Sequence, residues 1–307
     1  MSAAPIALFV YNRPWHTRQT IEALKKNNLA GSSDLFIFSD GPQTADAEKD
    51  VQAVREYVGT VRGFRSIEVF ERERNFGLAE SIVDGVSRLC NEFGKAIVLE
   101  DDIVTSPYFL EFMNQALKRY SSEKKIWHIS GWNYPVDATG LQESFFLRVM
   151  NCWGWATWAD RWSFYKKDPE RLVKNWTKKD IYRFNLEGAH DFWAQVAANH
   201  SGLAKTWAIF WYATIFEQQG LCLNPASTYV VNIGHDGSGT NCQKTDVHSS
   251  SLATRCVSSY PETFVENEQA VELIKHFYHS TRPELLVRIR RKISRGLKAA
   301  IRFVLRR

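Results

Sequence analysis

The sequence predicts an α/β fold in which helices flank a mostly parallel sheet. Three observations lead to this prediction. In the first 126 residues, short apolar runs typical of buried strands alternate with helical patterns. With 307 residues, the chain is long enough to bury the core of one large domain. Polar residues follow directly after the strand-like runs, and open parallel sheets bind ligands at that position.

The predicted elements follow one another in a regular order. The first strand covers 5–12 (PIALFVYN), and the next helix, over 13–28, has Ile21 and Leu24 on its inner side. The further elements are a strand over 34–42, a helix over 44–61, a strand over 65–73, a helix over 77–93, a strand over 95–102 and a helix that follows from 105. Such alternation is typical of parallel strands covered by helices on their faces.

Three regions are expected along the chain. Residues 1–126 and 127–260 form two halves of one domain, the second being rich in aromatic residues and less regular, and 261–307 form a helical region. Between 288 and 307 there are nine Arg or Lys and no acid, so the net charge of +5 belongs to this tail and the rest of the chain is net acidic. An apolar stripe accompanies these charges: Leu286, Ile289, Ile293, Leu297, Ile301 and Val304.

The basic tail therefore predicts an amphipathic helix that lies on an anionic membrane surface. A helix docked on the protein with a solvated basic face is the alternative, whereas the acidic remainder disfavours nucleic acid. The five cysteines are odd in number and form no C-x-x-C, and no basic segment precedes the first apolar run. We therefore expect reduced thiols and a cytoplasmic protein, peripheral to the inner face of the cell membrane.

The stretch KAIVLEDD (95–102) is the most informative, because a buried strand runs into Glu100, Asp101 and Asp102. Adjacent carboxylates repel one another, so protonation, a basic partner or a divalent cation must compensate them unless the turn is solvated. Oxygen ligands suit Mn²⁺ or Mg²⁺. Neither G-x-G-x-x-G after the first strand nor G-x-x-x-x-G-K-[ST] occurs, which disfavours a dinucleotide site and a P-loop.

Several motifs, in order, resemble those of nucleotide-sugar glycosyltransferases of the GT-A fold. They are FVYNRP, FSDGP, RNFGLAESI and VLEDDIVTSPYFLEFMNQAL, and NCWGWATWADRW and NIGHDGSGTNC are similar to segments of bacterial members. The likeness covers about residues 5–245 and is strongest to the N-acetylglucosaminyltransferase I-like branch and its bacterial, family 2-like relatives. It implies a nucleotide-sugar donor and a divalent cation.

The resemblance also implies roles for individual residues. Asp102 binds the metal, and His235 is a further candidate ligand. The residues expected to contact the nucleotide sugar are Tyr11, Asn12, Arg13, Asp40, Arg74, Asn75, Asp101, Trp153 and Trp155. The two tryptophans could stack on the donor or the acceptor ring, or belong to the core.

The catalytic base is expected in the second half of the chain. Relatives are expected to read Asp-Ser-Trp where Lys205 and Thr206 precede Trp207, so the candidate bases are Asp191, Glu217 and Asp236. The predicted function is metal-dependent and inverting transfer of a hexose or N-acetylhexosamine from a UDP-sugar to a lipid-linked or cell-surface polysaccharide acceptor. A nucleotidyltransferase and a non-catalytic, membrane-associated nucleotide-sugar-binding module are the alternatives.

Overall fold

The structure, a computed structural model, describes residues 3–237, 247–248 and 250–281. The predicted basic amphipathic helix lies outside the described residues. No helix within those ranges is both long enough and apolar enough to cross a membrane.

The first half alternates strands and helices as predicted, and the predicted inner residues Ile21 and Leu24 are both buried. Its elements are β1 Ile6–Val10, α1 Pro14–Lys25, β2 Asp34–Ser39, α2 Ala45–Gly59, β3 Ser66–Glu71, α3 Leu78–Phe93, β4 Lys95–Glu100, β5 Ile103–Thr105 and α4 Phe109–Arg119. The elements that follow are β6 Ile126–Ser130, β7 Ser144–Leu147, β8 Trp155–Trp158, α5 Ala159–Trp162, α6 Pro169–Asn175, α7 Lys178–Phe184, α8 Trp193–His200, α9 Ala208–Glu217, β9 Leu221–Pro225, β10 Val230–Asn232 and α10 Glu268–Ser280.

An eight-stranded sheet with the order β3-β2-β1-β4-β8-β6-β9-β7 is the centre of the fold. Strands β1 to β4 run parallel to one another, and only β8 and β7 run against the direction shared by the other six. The predicted α/β class, with a mostly parallel sheet flanked by helices, is therefore confirmed. Strands from both halves of the chain contribute to this one sheet.

The aromatic residues of the second half form much of the core. Helix α9 is buried over seven consecutive residues, from Ile209 to Ile215, because its sequence is apolar on every side. The Trp211 ring packs against Trp127 and Trp162. Aromatic rings bury a large apolar area each, so this region is held together without long helices.

The chain after β4 differs from the prediction. We expected a helix directly after the three acids, but Asp101 and Asp102 form a turn into β5, and α4 begins only at Phe109. β5 pairs antiparallel with β10, with Ile103 opposite Asn232. The β-branched residues Ile103 and Val104 favour a strand, and the partner strand lies more than 120 residues further along the chain.

Candidate functional site

The polar residues that follow β1, β2 and β4 meet at one edge of the sheet. The register places Val10 beside Ser39 and Phe9 beside Glu100, so these three parallel strands end together. Arg13 follows β1, Asp40 follows β2, and Asp101 and Asp102 follow β4. This carboxyl edge is where ligands bind in open α/β sheets.

Arg13 is the basic partner of the acidic turn. Its Nη2 donates hydrogen bonds to Asp101 Oδ1 and, at 2.8 Å, to Asp102 Oδ2, and its Nε lies 3.3 Å from Asp101 Oδ2. Burial lowers the pKa of Arg13, but the two carboxylates outweigh burial and the net pKa is raised. The guanidinium therefore stays charged and holds two carboxylates at once.

The turn that carries the acids is fixed through its own backbone carbonyls, which accept hydrogen bonds from a side chain and from a distant amide. Thr20 Oγ1 donates to the Asp101 carbonyl at 2.8 Å, and the Ile233 amide donates to the Asp102 carbonyl at 2.9 Å. Gly234 follows Ile233, and a Cβ atom built on it would lie 2.1 Å from Asp102 Oδ2. Only glycine allows the chain after β10 to approach the carboxylate so closely.

One guanidinium does not neutralise three carboxyl groups. Burial, followed by the charges of Asp102 and Asp101, raises the pKa of Glu100 to about 8, although the charge of Arg13 opposes this shift. Burial also raises the pKa of Asp101, although Arg13 opposes this shift. The site therefore favours an additional positive charge, which a proton on Glu100 or a bound cation could supply.

Two side chains at this edge have atoms that could bind a metal. Asp102 Oδ1 is buried and has no hydrogen-bond partner in the described part of the chain, and the same is true of both ring nitrogens of His235. A carboxylate oxygen and an imidazole nitrogen suit Mn²⁺. Within residues 3–237, 247–248 and 250–281, no group of three or more His, Cys, Asp or Glu is placed to hold an ion.

The three candidate bases occupy different places. Asp236 lies at the carboxyl edge, where its Oδ2 is 3.1 Å from Nε2 of the buried His16. Asp191 is at the start of α8 and accepts hydrogen bonds from the Ala194 amide and from Asn185. The structure thus brings only Asp236, among the three, to the acidic turn.

Glu217 lies at the opposite edge of the sheet. It ends α9, just before β9, and the Leu221 amide bonds Lys125 where β9 and β6 begin. Its carboxylate is held by Arg171 at 2.7 and 2.9 Å and by Trp176 Nε1 at 2.9 Å. The structure therefore does not bring Glu217 to the site. Its three hydrogen bonds give it a structural role, in which it joins α9 to Arg171 and Trp176.

Asp40 is a buried carboxylate that organises the backbone. It accepts hydrogen bonds from the amides of Gly41 at 3.0 Å, Phe76 at 2.8 Å and Gly77 at 2.9 Å. Asn75 Nδ2 donates to the Gly41 carbonyl at 2.8 Å, which ties the same two loops together. Both residues therefore join the end of β2 to the start of α3.

The other predicted donor contacts lie near these loops. Tyr11 and Asn12 directly follow β1, and the Tyr11 hydroxyl accepts a hydrogen bond from the Gln43 amide at 2.9 Å. Arg74 is exposed, with its guanidinium carbon 5.5 Å from the centre of the Phe76 ring.

The two tryptophans that were predicted to contact the sugar lie in different environments. Trp155 is 1% exposed and stacks between His128 and Trp207 in the core, so the prediction for Trp155 is corrected: its ring is enclosed by other side chains. Trp153 borders a cavity of 320 Å³, which we call the aromatic cavity. It is lined by aromatic rings that include Trp132, Tyr134, Trp153, Phe192 and Tyr278.

Sequence reasoning missed two residues at this edge. His16 is buried and faces Asp236, and Arg72, at the end of β3, bonds Asp84 and lies 4.1 Å from the Phe76 ring centre. Arg72 directly follows β3, so the convergence of strand ends was a signal that could have found it, whereas His16 lies within α1. We call the following residues the edge cluster: Arg13, His16, Asp101, Asp102, His235 and Asp236.

Comparisons with known proteins give structural neighbours only. No protein family matches the sequence, and neither does any curated protein. Among solved structures, residues 1–349 of Staphylococcus aureus TarS are 8% identical over 75% of this chain and 60% of that one, with a TM-score of 0.44. The mannosyltransferase PcManGT from Pyrobaculum calidifontis, in complex with GDP-Man and Mn²⁺, is 10% identical over 70% of this chain and 69% of its own, with a TM-score of 0.42.

The TarS structure with UDP-GlcNAc is 10% identical over 75% of this chain and 58% of its own, with a TM-score of 0.38. In a further TarS crystal structure the match spans only 22% of that chain.

Proposed function

We propose that the protein is a metal-dependent glycosyltransferase that takes a hexose or N-acetylhexosamine from a UDP-sugar. The sugar passes, with inversion, to a lipid-linked or cell-surface polysaccharide acceptor. The observation that carries the proposal is the edge cluster. In it, the carboxylates of Asp101 and Asp102 are paired with Arg13, one Asp102 oxygen has no partner among the described residues, and Asp236 adds a separate carboxylate. The choice of uridine rests on the resemblance of the sequence motifs.

On the donor side, Asp102 Oδ1 and His235 would hold Mn²⁺ or Mg²⁺, which as a Lewis acid neutralises charge on the diphosphate. Arg13 fixes the direction of the Asp102 carboxylate through its 2.8 Å hydrogen bond. Tyr11, Asn12, Asp40, Arg74, Asn75 and Asp101 are proposed to surround the nucleotide, Asp40 and Asn75 by shaping the loops. The diphosphate would then leave from a preorganised edge.

On the acceptor side, Asp236 is the proposed general base. As the acceptor oxygen bonds to the anomeric carbon, the bond from that carbon to the diphosphate breaks, and the hydroxyl proton passes to the Asp236 carboxylate. His16 positions this carboxylate through the 3.1 Å contact. Attack opposite the leaving group inverts the anomeric carbon.

Calorimetric titration with a nucleotide sugar, with Mn²⁺ or with EDTA, tests the donor side. UDP-GlcNAc and GDP-mannose, bound in two of the neighbouring structures, are the first ligands to compare. We expect UDP-GlcNAc to bind with Mn²⁺, and EDTA or Asp102→Asn to abolish binding. Glu56→Gln is the matched control, since it neutralises an exposed acid in the last turns of α2, away from the carboxyl edge.

The outcomes separate the alternatives. Failure of every UDP-sugar to bind in the presence of metal would overturn the UDP-dependent function. Binding without any transfer or slow hydrolysis of the bound sugar would favour a non-catalytic binding module. Release of pyrophosphate from a nucleoside triphosphate would favour a nucleotidyltransferase.

Membrane attachment is proposed for the basic segment 288–307, with the protein on the cytoplasmic face. Sedimentation with vesicles of anionic lipid measures it. Reversal of three charges in the full chain, Arg290→Glu, Arg291→Glu and Lys292→Glu together, should reduce vesicle binding at least about tenfold, since each basic residue near the surface contributes about 1 kcal/mol. Unchanged sedimentation would rule out this attachment.

A further inference from the structure

The aromatic cavity adjoins the edge cluster. It lies where β6 ends and β8 begins, and both of these points are at the carboxyl edge, because β6 runs parallel to β4 and β8 runs against it. The Trp153 ring, at the cavity wall, is centred 5.2 Å from the His235 ring. His235 directly follows Gly234, which contacts Asp102. His235 therefore links the cavity wall at Trp153 to the segment that approaches Asp102.

The cavity wall presents flat aromatic surfaces at steep angles to one another. The rings of Trp132 and Trp153 are centred 4.7 Å apart with 73° between their planes, and Trp132 meets Tyr134 at the same distance and 57°. Such an arrangement forms a corner that offers both the face of one ring and the edge of another. A flat ring with apolar C–H groups on one face fits against such a corner.

Polar groups also reach this cavity. The hydroxyls of Tyr134 and Tyr278 are 2.7 Å apart, and the side chain of Gln195 is part of the lining. Nδ1 of His248, another lining residue, is buried and has no hydrogen-bond partner in the described part of the chain. An alkyl chain would leave Nδ1 of His248 unpaired, which is costly in a buried place. A hydroxyl at the rim of a ring would bond this nitrogen.

We propose that the aromatic cavity binds the acceptor, and that the bound part of the acceptor is a sugar ring stacked on Trp153. This inference rests on the proposed glycosyltransferase function, since it assigns the second substrate of the same site. Its class is a pyranoside, so the acceptor end that enters the protein is a saccharide rather than a lipid chain. The cavity volume of 320 Å³ accommodates one such ring.

Ligand-observed NMR tests this assignment without knowledge of the natural acceptor. Saturation is transferred from the full-length protein to methyl β-glucoside, methyl β-galactoside and methyl β-N-acetylglucosaminide, with octanol as an alkyl-chain probe. We expect at least one glycoside to bind and octanol to bind no better. Trp153→Ala should weaken glycoside binding about tenfold, the upper end of the effect of a stacked aromatic ring, whereas Trp153→Phe should retain part of it.

The matched control is Phe164→Ala, which removes an aromatic ring that is 54% exposed and outside the cavity lining. Each variant is also titrated with UDP-GlcNAc and Mn²⁺, because retained donor binding shows that the fold is intact. Unchanged glycoside binding by Trp153→Ala, or binding of octanol alone, would overturn the acceptor assignment while leaving the donor side standing. Glycoside binding sensitive to Trp153, with no nucleotide sugar bound by the wild type, would overturn the proposed transferase function and leave a carbohydrate-binding cavity.

Discussion

Replacement of Gly234 by alanine tests how tightly the last strand holds the acidic turn. The new Cβ would lie 2.1 Å from Asp102 Oδ2, 2.9 Å from its Cγ and 3.0 Å from Arg13 Nη1. Gly234 has no left-handed backbone angle, so the substitution would create short contacts without straining the backbone dihedral angles. To restore an ordinary contact, the carboxylate must move by about 1 Å, which breaks or bends its hydrogen bond to Arg13.

The size of the effect follows from the bond that is lost. A hydrogen bond between charged groups contributes about 1.5–3 kcal/mol, so Gly234→Ala should destabilise the fold by that order in urea unfolding. Metal-dependent binding of UDP-GlcNAc should weaken by at least about tenfold, because Asp102 no longer has its orientation. Calorimetry of the same preparations measures the second effect.

A matched glycine provides the control. A Cβ on Gly59, the last residue of α2, meets no atom within 4 Å, so Gly59→Ala should change stability by less than about 1 kcal/mol and leave donor binding unchanged. If Gly234→Ala bound UDP-GlcNAc and unfolded like Gly59→Ala, the view that glycine is required for the approach to Asp102 would be refuted.

Three further results are expected. Asp40→Asn should lower the free energy of unfolding by about 1–3 kcal/mol, since its amide nitrogen would face backbone donors at Gly41, Phe76 or Gly77; stability equal to wild type in urea would contradict this. Asp236→Asn should reduce kcat by about 10² to 10⁴ while UDP-GlcNAc affinity stays the same, and unchanged transfer would exclude it as base. Burial lowers the pKa of His128 to about 3, so between pH 6.5 and pH 3 the unfolded chain binds one more proton than the folded protein. The free energy of unfolding should therefore fall on acidification by up to about 1.4 kcal/mol per pH unit. A pH series of urea unfolding in which His128→Gln keeps the wild-type slope would contradict this expectation.

The sequence allowed the first half of the fold to be predicted because its signals are local. Each apolar run is followed by a helical pattern, and parallel strands end at one edge whatever their partners are. β5 was missed because three residues carry little pattern, and its stability comes from pairing with β10 across the chain. The sequence therefore predicted the edge of the sheet where the site lies, but it did not predict the pairing of β5 with β10 from the second half of the chain.

The site shows the same division between local and distant information. The three acids stood out by themselves, but the partner of Asp101 and Asp102, Arg13, lies 88 residues from Asp101, and the residues alone left protonation, a basic partner and a divalent cation open. Trp153 and Trp155 are two residues apart, yet Trp153 borders the aromatic cavity, whereas Trp155, the first residue of β8, is buried in the core. The three candidate bases lie at different positions relative to the sheet. These positions could not be predicted from the spacing of the residues in the sequence.

The arrangement around Asp102 explains how a basic partner and a cation could both compensate the charge of the acidic turn. Arg13 occupies one oxygen of Asp102 and both oxygens of Asp101, which reduces the repulsion between these two carboxylates. The other oxygen of Asp102 has no partner in the described part of the chain, and His235 is similarly unpartnered close by. If Arg13 bonded every oxygen of Asp101 and Asp102, no carboxylate oxygen of these two residues would be left to bind a cation. If Arg13 were absent, holding three neighbouring carboxylates together would cost a large amount of free energy. Because Gly234 fixes the carboxylate between these two demands, its substitution should weaken metal-dependent binding as well as folding.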